Sequence, residues 1–242
     1  VRAKRQAAET TMTTESTPHA KPDLSELPLR PGQRLDQPTF HRLYEQVPND
    51  VKFELIAGVV HMPSPMRAPH GRHQLLLNAC VGWYWTETPG TDIGDNTTVI
   101  LGDDCEPQPD ALLRIIDGQS HENDEEYLVG PPEWLGEVSD SSRDYDLHAK
   151  RDDYERYGVQ EYLVLVVREK RAVRWVREGD KFAERPADDD GILRSAVFPG
   201  LWLDVEAFFR RDGRRLKEVL EMGLATPEHA AFVGRLRRSA AK

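Results

Sequence analysis

The sequence predicts an α/β fold, and three stretches carry that expectation. HGRHQLLLNACVGWYW places Leu75, Leu76, Ala79, Cys80, Trp83 and Tyr84 on one broad apolar side, the pattern of a core-facing helix. VQEYLVLVV is a continuous apolar run, as expected of a central strand buried on both faces. RAVRWV, KFAERP and ILRSAVF follow as alternating runs separated by the turns EGD and DDDG, a β-meander.

Taken in order, residues 1–32 are polar, contain Pro and Thr, and lack a sustained apolar period; they read as a flexible leader, within which Met12 is a candidate start. TFHRLYEQV sets Phe40, Leu43, Tyr44 and Val47 at helical spacing behind Thr39, a candidate cap. VKFELIAGVVHM reads as a hairpin turning at Ala57-Gly58, with Glu54 inside its first arm. Alternation allows that acid to face either solvent or the interior. His70 and His73 open the long helix. Their spacing could ligate a metal, although a histidine near a helix start more commonly caps, packs or meets a partner.

TPGTDIGDNTTVIL suggests a turn and a strand, and CEPQPDALLRII a second strand entered through prolines. Pro109 lacks a backbone donor and restricts the chain, so Asp110 is held at the lip of that strand. DGQSHENDEEYLVGPP has no apolar period and reads as an exposed connection. WLGEVS resumes a buried strand and sets Glu137 between apolar neighbours, where an ionised carboxylate requires a cation or hydrogen-bond donors. In RDYDLHAKRDDYERYG, Ser141, Ser142 and Asp144 are candidate caps and Gly158 the expected stop. Asp146, Lys150 and Tyr154 recur every four residues and share a helix face. They could be an ordinary solvated pair, or Asp146 could orient Lys150 with Tyr154 stacked behind it. Short helices are expected over 204–222 and in TPEHAAFVGRLRRSAAK, whose Arg235, Arg237 and Arg238 form a basic end. The resulting division is a leader over 1–32, a main domain over 33–208 and a helical tail over 209–242.

Composition narrows the function. With 32 basic and 42 acidic residues the chain carries a formal charge of −10, which argues against a general nucleic-acid coat but not against an enzyme with a locally suitable surface. Cys80 and Cys105 are too few for a disulfide framework or a four-cysteine zinc site, consistent with a reducing cytoplasmic setting. No apolar run approaches the roughly 18 residues of a membrane-spanning helix. Two carboxylates on neighbouring strands with an ammonium nearby are the elements of metal-assisted phosphodiester hydrolysis. Asp110, Glu137 and Lys150 are the candidates, and Glu54 is a candidate third carboxylate.

The series FELIAGVVHMPSP, PHGRH, QPDALL and GEVSDSSRDYDLHAKRDDYERYGVQEYLVL resembles, in this order and over roughly residues 36–205, the Uma family of restriction endonucleases within the PD-(D/E)XK nuclease superfamily. The resemblance implies a restriction-endonuclease-like α/β core, a mixed β-sheet flanked by helices, and a Mg²⁺ site that Mn²⁺ could also fill. It makes Asp110 and Glu137 the metal carboxylates, Lys150 the catalytic lysine and Glu54 an auxiliary ligand of the metal or its water. The superfamily's usual lysine lies two residues after the second acid, where this chain has Ser139; here the lysine comes from the following helix. Leu165 to Val167 replace a Val-Asp often seen in the family's tyrosine strand, a position outside the implied site. DNA is the implied partner, and a homodimer would suit a duplex. The alternative is a nuclease-like module that binds nucleic acid or protein without turnover.

Overall fold

A computed structural model of the chain describes residues 26–140 and 145–239. The helix α1, Gln37–Tyr44, precedes the hairpin strands β1, Glu54–Ile56, and β2, Val59–His61. The long helix α2, Ala68–Thr86, leads into β3, Thr91–Gly94, β4, Val99–Ile100, and β5, Ala111–Ile115. Two short strands follow, β6 at His121–Glu122 and β7 at Leu128–Val129, and then β8 at Trp134–Ser139. A π-helical segment, Tyr145–Lys150, runs into α3, Arg151–Tyr157. The remaining strands are β9, Glu161–Val166; β10, Arg171–Glu178; β11, Lys181–Glu184; β12, Ile192–Arg194; and β13, Trp202–Asp204. The helices α4, Val205–Arg210, α5, Gly213–Leu224, and α6, Pro227–Ser239, close the described chain.

Six strands form the main sheet in the order β11-β10-β9-β8-β5-β3. β8 and β9 are parallel and the other neighbours antiparallel, so the sheet is mixed. Both faces of its centre are buried, and alternation divides the side chains between them. Trp134, Val138, Leu163 and Leu165 pack with α2 and the C-terminal helices. Leu135, Tyr162, Val164 and Val166 pack with Leu147 and Tyr154 from the π-helical segment and α3. The continuous apolar run of β9 therefore reflects its central place between two helical layers.

The hairpin turns where the sequence places it: Ala57 at φ 51° and Gly58 at φ 71° supply the two left-handed residues of a tight turn between twisted strands. At the C-terminal end of α3, Gly158 stands at φ 97° as the cap, with its N–H bonded to the carbonyls of Tyr154 and Glu155. Gly158→Ala is expected to cost about 1–2 kcal/mol, the penalty of forcing a Cβ into the left-handed region. Urea unfolding measures this, and an unchanged midpoint would show that the cap relaxes.

Several elements depart from the sequence pattern. α1 starts before Thr39, because the Asp36 carboxylate accepts the Thr39 N–H at 2.8 Å and Pro38 is tolerated in a first turn. The leader expected over 1–32 ends sooner: Leu27 and Leu29 are buried with Phe40 and Phe53, and the Gly32 N–H bonds the Val60 carbonyl; residues 1–25 lie outside the described residues. The stretch expected as a plain exposed connection contains β6 and β7, which join β4 in a small sheet. β12 leaves the meander and pairs with β13 as a separate ribbon. Leu216, Leu220, Phe232 and Leu236, on α5 and α6, share the core beneath the main sheet. The capping residues expected at Ser141, Ser142 and Asp144 lie outside the described residues.

Candidate active site

Glu137 lies on β8 and Asp110 at the entrance to β5, neighbouring strands of the sheet. Asp110 is anchored by its Oδ2, which accepts the Val138 N–H at 2.8 Å. That bond crosses from one strand to the next and holds the Asp110 carboxylate beside the residue following Glu137. Glu137 is an odd-numbered residue of β8 and shares a sheet face with Leu135, the face covered by the π-helical segment and α3. It therefore points toward the helix that carries Lys150.

Lys150 returns to it. Its Nζ lies 2.8 Å from Glu137 Oε1 and 2.9 Å from Glu54 Oε1, and all three side chains are buried. Glu54 on β1 faces inward, and its Oε1 also accepts the Gln108 N–H at 2.7 Å. Tyr154, one turn beyond Lys150, brings its hydroxyl to 3.4 Å from Glu137 Oε1 and sets its ring edge-on to Tyr162 at 4.8 Å. Asp146 is buried as well, and its charge acts on both Lys150 and Glu137. Burial removes these residues from the solvated-pair reading of the helix face. The π-helical turn is the local device: its wider spacing over Tyr145–Lys150 shifts the helical register just where the lysine enters.

The electrostatics follow from the stoichiometry. Burial opposes the charge on Lys150, but the Glu137 and Glu54 carboxylates outweigh it and push the ammonium well above the usual lysine range. Burial pushes Glu137 well above the usual carboxylate range; Lys150 opposes this, while Asp110, Asp146 and Glu54 reinforce it. Glu54 and Glu137 thus flank one ammonium, and Asp110 stands beside Glu137 on the neighbouring strand, three carboxylates against one lysine charge. The surplus is the negative charge that a divalent cation offsets.

His70 meets Asp110, with Nε2 3.4 Å from Oδ1. Burial disfavours its charge, yet Asp110 prevails and the His70 pKa is raised. His73 does not join it. Its Nδ1 pairs with the Pro69 carbonyl at 2.7 Å and its ring packs against Phe208 and Phe209. Two hydroxyls to which the sequence assigned no role also stand at the site. Ser139 is fully buried on the Glu137 face with an unpartnered Oγ, and Tyr145, whose ring lies 5.5 Å from Lys150 Nζ, has an unpartnered OH. Only the position of Ser139, two residues after Glu137, could have drawn attention to it.

Hard carboxylate oxygens suit Mg²⁺, which binds through one or two carboxylates and keeps several waters. Asp110 and Glu137 fit that mode. Glu54 Oε1 is held by the Gln108 N–H as well as by the Lys150 ammonium it shares with Glu137, and the three acids do not form a compact ligand set. Among the described residues, the one group with three ligand atoms mutually within 4.8 Å is His41, Glu45 and Glu125, away from this cluster. If a cation binds at Glu137, it competes with a proton held by a raised carboxyl, so its apparent affinity is expected to rise with pH, approaching about tenfold per unit below that pKa. Calorimetry in buffers of different ionisation enthalpy reads the released proton. A pH-independent affinity would place the ion elsewhere.

A mixed sheet with helices on both faces and an acid-lined end defines an α/β protein of the restriction-endonuclease-like class. The chain belongs to the Uma2 family, described as "Putative restriction endonuclease", whose family model matches residues 37–206. In fold it is similar to a crystal structure described as "a putative nuclease belonging to DUF820" from Anabaena variabilis ATCC 29413, at 12% sequence identity and a TM-score of 0.56, covering 70% of this chain and 96% of that one. No curated protein matches the chain. Among the described residues, no helix is long and apolar enough to cross a membrane.

Proposed function

We propose that this chain is a Mg²⁺-dependent endonuclease that hydrolyses phosphodiester bonds of DNA, with Mn²⁺ able to substitute. The observation that carries the reading is the return of Lys150 to Glu137 and Glu54 at 2.8 and 2.9 Å, beside an anchored Asp110. Asp110 and Glu137 are the residues that would hold the metal. When bound, the metal supplies Lewis acidity toward a phosphoryl oxygen and lowers the pKa of a coordinated water.

The chain's own residues account for the rest. Lys150, kept protonated by its two carboxylates, presents a fixed positive charge to the phosphate oxygens as negative charge develops there. Glu54 holds that ammonium in place, so its contribution to the reaction runs through Lys150 rather than through the phosphate. The Val138 N–H fixes the Asp110 carboxylate, reducing the reorganisation needed when a substrate arrives. The catalytic unit covers residues 33–208, joined by the buried Leu27 and Leu29 before it and by the helices beyond, packed beneath its sheet. Two copies would place one site on each strand of a duplex, which sedimentation at working concentration tests.

The deciding experiment offers supercoiled and linear duplex DNA, single-stranded DNA and RNA to the full chain with Mg²⁺, Mn²⁺ or EDTA. Cleavage of DNA that requires a divalent ion is expected. Binding without cleavage under every ion and substrate would overturn the reading in favour of a non-catalytic module.

A further inference from the structure

A second constellation joins α1 to the turn between β6 and β7. His41 and Glu45 are separated by one helical turn on α1, which sets both on the same face. Glu125 approaches them from the turn between β6 and β7. One ligand atom from each of the three lies within 4.8 Å of the other two. His41 is oriented from behind: its Nδ1 pairs at 2.9 Å with Oε1 of Glu106, a carboxylate whose side chain is 0% exposed and whose Oε2 accepts the Gln37 amide at 2.8 Å. The other ring nitrogen, Nε2, is buried and makes no hydrogen bond. It faces Glu125 Oε2 across 4.0 Å.

That distance is informative. It is too long for a hydrogen bond between an imidazole N–H and a carboxylate. Two donors on one tetrahedral ion at about 2.0–2.2 Å each lie roughly 3.3–3.6 Å apart, so a few tenths of an ångström of movement by the exposed Glu125 side chain brings the pair to that separation. An enclosed nitrogen without a partner, opposite a movable carboxylate oxygen just beyond metal-bridging distance, with a buried carboxylate fixing the ring from its far side, matches the carboxylate–histidine–metal order of outer and inner ligands. Imidazole with carboxylates selects a zinc-class ion over Mg²⁺, which prefers all-oxygen shells.

We propose that His41 Nε2, Glu45 and Glu125 bind a zinc-class divalent ion, with Glu106 orienting the imidazole. The ion ties α1 to the β6–β7 turn. It also sits behind the segment that supports the other site, because Glu106 pairs with Leu55 through both backbone bonds and the Gln108 N–H holds Glu54. Its role is structural, and it requires no activity of the chain.

Zn²⁺ affinity measured by competition with a chromogenic chelator, together with thermal unfolding with and without Zn²⁺, tests the site on the full chain. Glu45→Gln and Glu125→Gln alter exposed side chains and keep the fold. Each is expected to weaken Zn²⁺ by about tenfold or more and to shrink the Zn²⁺-dependent rise in Tm. The losses caused by Glu45→Gln and Glu125→Gln are expected to persist in an Asp110→Asn background, which separates this ion from one bound at the carboxylate–lysine cluster. Failure of Zn²⁺ to bind, or binding indifferent to Glu45→Gln and Glu125→Gln, overturns the proposal.

Discussion

Asp110→Asn and Glu137→Gln are each expected to lower divalent-dependent DNA cleavage by roughly 10³-fold, with little change in the fold. The magnitude follows from the chemistry assigned to the metal, since Lewis-acid stabilisation contributes several kcal/mol and each factor of ten corresponds to about 1.4 kcal/mol. The amides keep the size of the carboxylates, so Asp110→Asn can still accept the Val138 N–H that anchors the native side chain at 2.8 Å. What they remove is charge. Glu137→Gln also relieves the crowding that raises the native carboxyl, so its stability in the absence of metal is expected to hold or increase. A pair of single-turnover cleavage measurements with circular dichroism decides the matter. Wild-type rates in both variants would remove these acids from the chemistry, whereas lost activity with an intact fold supports them.

Lys150→Met is expected to cost about 3–5 kcal/mol of stability, the usual penalty for leaving one side of a buried ion pair without its partner. Lys150 is 3% exposed and its ammonium serves Glu54 and Glu137 together, so its removal strands two carboxylates rather than one. Methionine retains most of the volume, so packing loss contributes little. Adding Glu137→Gln to Lys150→Met should recover part of the loss by deleting one uncompensated charge. Urea unfolding of the single and double variants supplies the coupling. A loss below about 1 kcal/mol would mean that water reaches the pair in solution and screens it as on a surface.

These expectations depend on geometry that local pattern reveals unevenly. Glu137 stood out as a candidate because it sits amid the apolar residues of β8, Asp110 because it follows a proline at the mouth of β5, and Lys150 because it recurs at four-residue spacing with Asp146 and Tyr154. His70 was visible only as a histidine near a helix start, since its meeting with Asp110 joins residues far apart in the chain. His41 and Glu45 carried an i, i+4 signal in TFHRLYEQV, but Glu125 comes from a stretch with no apolar period, and its approach depends on the pairing of β6 and β7 with β4. Two-residue strands bury too few side chains to leave a period in the sequence.

The sequence by itself determined the elements whose evidence is local: the turn at Ala57-Gly58, the extent of the long helix α2 though not its buried face, since Leu75 is exposed and Leu77 and Val81 are buried, the doubly buried β9 and the stop at Gly158. Motif order also carried the family and its fold, with Asp110, Glu137 and Lys150 as candidates. Tertiary structure alone decided which way Glu54 faces, that β12 leaves the meander for β13, and that Lys150 reaches back across 13 residues to Glu137. The physical reason is range. Periodicity and turn chemistry act over a few residues, whereas the side a strand acid faces and the place a helix docks are set by partners brought in from elsewhere in the chain.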